Sequence, residues 1–226
     1  MWWEFFATKY TNEYQEVVYS PTTAGYIAMV LVMLVFLCLA LYFGKKKAQK
    51  SITTKQLVFS AMAMALAMVT SNLKLFDMPM GGSVTLFSMF FICLIGYWYG
   101  LKAGLMTAVA YGMLQLIIDP YILSIPQLIC DYPLAFGALG LSGIFSDKKN
   151  GLMTGYAVGI LGRFFFSFLS GVIFFGYYAP ASMNPMVYSF LYNGGYIGAE
   201  ALLTLVVLFI PAVSKAVRQV KTIALA

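Results

Sequence analysis

The sequence predicts an all-α membrane protein: a six-helix bundle preceded by one additional transmembrane helix. Three observations predict it. Of 226 residues, 62% are hydrophobic and only 10% charged, against about 25% charged in a soluble domain, so lipid must be the main solvent. In hydrocarbon every backbone N–H and C=O must be satisfied internally, which leaves helix bundles and closed barrels. Barrel strands alternate apolar and polar residues, whereas Gly25–Phe43 and Leu202–Val213 are apolar on every side. Finally, the basic residues cluster in short segments between apolar stretches, as cytoplasmic loops do.

The elements follow in order. Residues 1–23 carry Trp2, Trp3, Phe5 and Phe6, with Glu4, Glu13 and Glu16 against Lys9. With no basic start this is not a signal peptide, and it reads as an extracytoplasmic, interfacial tail. The additional helix occupies 24–44, and Lys45, Lys46, Lys47 and Lys50 make 45–53 a basic cytoplasmic linker. A span needs about 20 apolar residues. The membrane domain, 54–213, reads as Thr54–Leu73, Val84–Tyr99, Ala103–Ile118, Ile122–Phe145, Leu152–Tyr177 and Pro185–Val213, and 214–226 is a basic tail. Lys102, Lys148, Lys149, Lys215, Arg218 and Lys221 sit at alternate turns, and among the opposite turns only Lys74 is basic. The positive-inside rule then predicts a multi-pass protein of the cell membrane, with its amino terminus outside and its carboxyl terminus in the cytoplasm.

The formal charge of +6 is spread over these loops and does not form a nucleic-acid patch. Cys38, Cys93 and Cys130 lie in apolar segments and read as small buried hydrophobes. The chain has no histidine, which removes the commonest metal ligand and general base. It has no phosphate-binding Gly-rich loop with Lys-Ser/Thr, so it does not hydrolyse ATP by that route. No cofactor and no enzymatic activity are expected.

Ionisable groups within the membrane cost at least about 2.5 kcal/mol each on the insertion scale. Asp131, Arg163 and Glu200 are such groups. Gln127 lies one turn before Asp131; Ser167 and Ser170 extend a stripe from Arg163; Tyr188, Tyr192 and Tyr196 lead to Glu200 in steps of four, with Asn193 beside them. Two readings stand open. Arg163 pairs with Asp131 or Glu200 as a structural ion pair, and Tyr177 and Tyr178 are interfacial anchors. Alternatively Asp131, Tyr132, Asp119, Tyr121 and the tyrosines converge on a flat, polar, cationic ligand, since aromatic faces and a carboxylate attract a cation. In Thr54–Leu73, Ala61/Ala65 and Ala63/Ala67 are small-xxx-small pairs, suited to close packing inside the bundle or to docking another membrane protein.

Several segments in sequence order carry a resemblance: Gly81-Gly82-Ser83-Val84, Tyr99-Gly100-Leu101-Lys102-Ala103-Gly104-Leu105, Asp131-Tyr132-Pro133-Leu134-Ala135-Phe136, Ser170-Gly171-Val172-Ile173-Phe174-Phe175-Gly176 and Tyr188-Ser189-Phe190-Leu191-Tyr192-Asn193-Gly194. Together they resemble the thiamine-specific substrate-binding (S) component of energy-coupling-factor (ECF) vitamin transporters, over roughly Thr54 to Val213. The resemblance implies a high-affinity thiamine-binding protein that delivers its ligand to a transmembrane coupling protein driven by two ATPase subunits. It implies substrate contacts from Asp131, Tyr132, Tyr121, Asn193, Tyr188, Phe175, Ser167, Gly82 and Asp119, and partner docking through Ala61, Ala63, Ala65 and Ala67. Ser167 stands where the family often has histidine, and Phe175 where some relatives have tryptophan. These departures bear on the ligand, and keep pyridoxine or a hydroxymethylpyrimidine as alternatives. A solitary transporter coupled to protons through Asp131 or Glu200 is the competing mechanism.

Overall fold

The computed structural model describes Phe5 and residues 7–11, 15, 17–25, 27, 31, 52–78, 82–180 and 182–226. Almost all of the additional helix (24–44) and most of the linker (45–53) lie outside the described residues. In the tail, β1 (Ala7–Thr11) pairs antiparallel with β2 (Val17–Pro21).

Among the described residues from Thr54 onward there are seven longer helices and a 3₁₀ turn at Gly176–Tyr178. α1 is Thr54–Ser71, started by Thr53, whose side chain accepts the Gln56 N–H, an ordinary N-cap. A hairpin of β3 (Lys74–Asp77) and β4 (Ser83–Thr85) leads to α2, Ser88–Tyr99. α3 is Leu101–Ile118. α4 runs Ile125–Phe145, but not uniformly: a π-turn at Cys130–Leu134 contains Pro133, and Ala138–Phe145 is wound as 3₁₀ helix. α5 is Gly151–Phe174, α6 is Pro185–Phe209, and α7 is Pro211–Leu225. Among the described residues, α3, α4, α5 and α6 are long and apolar enough to cross a membrane.

The core runs between α2, α3, α4 and α5, where Ile92, Tyr111, Leu139 and Tyr156 are at most 1% exposed. The outer faces are apolar as well, with Leu161, Leu202, Val206 and Phe209 exposed. A bundle solvated by lipid needs no polar exterior.

Two of the expected spans and the expected docking set are corrected in substance, and the other spans shift by a few residues at their ends. Val84 is in β4, so the second span of the membrane domain begins at Ser88 and α2 has only 12 residues, about 18 Å. The last span ends at Phe209, not Val213, because Ile210 is extended and Pro211 restarts a separate helix, its ring being compatible only with a first helical turn. The basic tail at 214–226 therefore belongs almost entirely to α7. Thirdly, the four alanines do not share one surface. Ala63 and Ala67 are buried (5% and 0% exposed) in the core, while Ala61 and Ala65 are exposed. Small side chains at the first pair let α1 approach its neighbours closely.

Candidate ligand-binding site

A cavity of about 720 Å³ opens where the carboxyl ends of α3 and α5 meet the amino ends of α4 and α6. Lys55, Lys102, Lys148 and Lys149 belong to the opposite end of the bundle. Eight of the nine expected contact residues line this one cavity: Asp119, Tyr121, Asp131, Tyr132, Ser167, Phe175, Tyr188 and Asn193. The ninth, Gly82, stands behind its wall. Its φ of +76° is a left-handed turn conformation, and a Cβ there would lie 2.8 Å from Cδ1 of Tyr196, which does line the cavity. Glycine is required for both reasons.

The irregular winding of α4 builds one wall. Pro133 has no N–H, so the helix widens into the π-turn that carries Asp131 and Tyr132. Gln127, 1% exposed, donates through Nε2 to Oδ2 of Asp131 (2.6 Å) and to the Tyr121 carbonyl (3.1 Å), while its Oε1 accepts the Leu123 N–H (2.9 Å). One amide thus orients the carboxylate and shapes the loop above it. Tyr132 staples the same loop, donating from its hydroxyl to the Asp119 carbonyl (2.8 Å) and accepting the Tyr121 N–H (2.9 Å).

Aromatic rings make the other walls. Tyr121, Phe175 and Tyr178 form a cluster with centroid separations of 6.0 and 6.3 Å. Tyr188, Tyr192 and Tyr196 follow down α6 at 6.0 and 5.6 Å. Asn193 donates to the Ser189 carbonyl (3.0 Å) and hydroxyl (3.2 Å) and accepts from the Tyr196 hydroxyl (3.1 Å), so its amide is held in place before any ligand arrives. Gly171 makes room on α5, since a Cβ there would meet Ser189 Oγ at 2.2 Å.

The ion pair left open from the sequence is not the arrangement found. Arg163 lies 4.1 Å over the Phe136 ring. Glu200 instead accepts from Thr85, from Ser88 (3.1 Å) and from the Met89 N–H (3.1 Å). Arg163 Nε is buried with no hydrogen-bond partner among the described residues; Arg163 and Ser170 both line the cavity, Ser170 beside the Asp131 carboxylate. Buried polar groups are nearly always satisfied, so an unsatisfied one on a residue of this wall suits a polar occupant. Phe136, Gly171 and Ser189 also line it and were not singled out from the sequence. Phe136 is one turn beyond Tyr132, which was a usable signal.

Comparison with known proteins places this geometry. A family model described as "Thiamine transporter protein" matches residues 57–219. The chain belongs to that family. It is therefore a multi-pass membrane protein of a transporter family and not an enzyme. Thiamine transporter ThiT of Bacillus subtilis (strain 168) is 34% identical over 146 residues, which is 58% of this chain and 76% of that protein. Thiamine transporter ThiT of Lacticaseibacillus paracasei is 33% identical over 125 residues, 48% of this chain and 62% of that protein. The solved structure of ThiT from Listeria monocytogenes superposes with a TM-score of 0.57 at 24% identity, covering 70% of this chain and 94% of that one, so the thiamine transporter family shares the bundle as a fold.

Proposed function

We propose that this chain is the thiamine-capturing S component of an ATP-driven ECF importer, with the cavity facing the cell exterior. One observation carries the ligand class: the Asp131 carboxylate, held by Gln127, faces a cavity walled by tyrosine and phenylalanine rings. A cationic aromatic ring gains from both the carboxylate and the ring faces, and thiamine is such a ligand. The relatives named as thiamine transporters point the same way.

The orientation rests on charge. The lysine-rich turns lie at the end away from the cavity, and cytoplasmic loops hold the excess of Lys and Arg. This sets the amino terminus outside and the carboxyl terminus inside. The chain carries no ATP-hydrolysing motif, so energy comes from a transmembrane coupling protein and two ATPase subunits. Their docking face is the exposed stripe of α1, where Val58, Ala61, Met62, Ala65, Leu66 and Val69 point away from the bundle.

Titration of intrinsic fluorescence in detergent tests the ligand. Asp131→Asn is expected to weaken thiamine binding at least about tenfold, which is about 1.4 kcal/mol. Undiminished affinity in the variant overturns the reading. Tighter binding of pyridoxine or a hydroxymethylpyrimidine by the unmodified protein would move the assignment to that vitamin. Uptake in vesicles lacking the ATPase module, abolished by an uncoupler, would instead support proton coupling.

A further inference from the structure

α7 is not needed to build the cavity, yet its surface is strongly divided. Its 15 residues span about 22 Å, and its contacts cross the basic end of the bundle. The Lys55 ammonium, from the start of α1, donates to the Ile223 carbonyl (3.1 Å). Tyr99, from the end of α2, donates to the Ala224 carbonyl (3.0 Å). Lys221 donates to the Ser146 carbonyl just beyond α4 (2.6 Å) and lies 3.9 Å over the Tyr97 ring. A helix that touches the ends of α1, α2 and α4 lies across the bundle's base and does not run on as a seventh span.

Three arcs divide it. Ser214, Val217, Lys221 and Ala224 face the protein. Lys215 and Arg218 are exposed on a polar arc, the Arg218 guanidinium also donating to the Ser214 carbonyl (3.2 Å) and hydroxyl (3.4 Å). Val220 and Ile223, 36% and 60% exposed, form an apolar arc with Ala216. α7 starts at Pro211, directly after Phe209 and Ile210, which are 69% and 48% exposed on the lipid side, and its apolar arc is taken up at Ala216. No acidic residue occurs in α7; in the neighbouring turn Lys148 and Lys149 are exposed and outnumber the exposed Asp147, which lies on the Lys221 side.

We propose that α7 is a membrane-interface helix that holds anionic phospholipid headgroups of the cytoplasmic leaflet with Lys215 and Arg218, while Val220 and Ile223 enter the acyl boundary. An apolar arc beside a cationic one is the pattern of a helix lying in the interface, and cations there attract anionic lipid. The choice of leaflet rests on the orientation argued above. A lipid surface fits better than a protein partner because the apolar arc is a narrow row on a helix that follows directly from a lipid-facing span.

The experiment uses the full-length protein in nanodiscs of phosphatidylcholine alone and in equal mixture with phosphatidylglycerol. The lipids that stay bound after detergent extraction are quantified. The unmodified protein is expected to retain phosphatidylglycerol preferentially. Lys215→Gln with Arg218→Gln is expected to cut that preference at least about fivefold, and Lys215→Arg with Arg218→Lys to keep it. An unchanged preference in the glutamine variant overturns the proposal. So does the absence of any preference in the unmodified protein; ATP-driven uptake lost in the glutamine variant would then assign the face to a protein partner. Thiamine titration of the same samples reads the cavity separately: failure there overturns the vitamin assignment and leaves the lipid result standing.

Discussion

Glu200 shows what a single buried carboxylate does in this bundle. It is 4% exposed and receives the hydroxyls of Thr85 and Ser88 and the N–H of Met89. It therefore ties the junction of β4 and α2 to α6. Thr85 and Ser88 also lie 3.0 Å from each other, hydroxyl to hydroxyl, so Glu200→Ala would leave the Met89 N–H and one of the two hydroxyls without an acceptor, at about 1–3 kcal/mol for a buried donor. The expected result is an unfolding temperature in detergent lower by about 5 °C, with Glu200→Gln recovering part of the loss. An unshifted transition in Glu200→Ala would show that the junction does not depend on this residue. The sequence singled out Glu200 by its cost in hydrocarbon, but a carboxylate at that depth reads equally as proton relay, ion pair or structural anchor. Only the positions of Thr85 and Ser88, more than a hundred residues away in sequence, decide for the anchor. Asp131 carries the same cost, and differs because it lines the ring-walled cavity of about 720 Å³, whereas Glu200 lines a smaller one of about 230 Å³ whose lining includes its own donors Thr85, Ser88 and Met89.

At the scale of elements, α1 separates two roles that its composition runs together. Ala61, Ala63, Ala65 and Ala67 are chemically identical, and both pairs are spaced for close helix approach. Their burial differs: Ala67 is 0% exposed against the core, while Ala65 is on the outer face. Ala67→Leu is expected to destabilise the fold by about 1–3 kcal/mol through overpacking, seen as a lower unfolding temperature. Ala65→Leu is expected to leave both that temperature and thiamine affinity unchanged while reducing ATP-driven uptake in reconstituted vesicles. Equal effects of the two changes on stability would refute this division of the helix. Other details were out of reach of hydropathy. The strand Ser83–Thr85 reads as part of an apolar run, and the π-turn of α4 leaves no periodic trace beyond Pro133. Hydropathy registers lipid compatibility, not hydrogen-bond spacing.

For the molecule as a whole, the family match begins at residue 57, and every described residue lining the cavity lies at Asp119 or beyond. A chain lacking residues 1–51 is thus expected to bind thiamine within about threefold of the full-length affinity, a difference under 1 kcal/mol, by the same fluorescence titration. Loss of binding would assign the amino-terminal segment a part in the cavity. Composition is enough to set the solvent of this protein, its helical class and the basic polarity of its turns, because these follow from the cost of bare backbone and charge in hydrocarbon. The sequence also named Asp131 and the tyrosines as worth explaining. Tertiary structure alone decided that Asp119, Asp131, Phe175 and Tyr188, from separate elements, converge on one cavity. It likewise decided that Arg163 rests on Phe136 and that the basic tail folds across the base as α7. Those outcomes depend on which helix faces meet, and facing is set by long-range packing that no local pattern encodes.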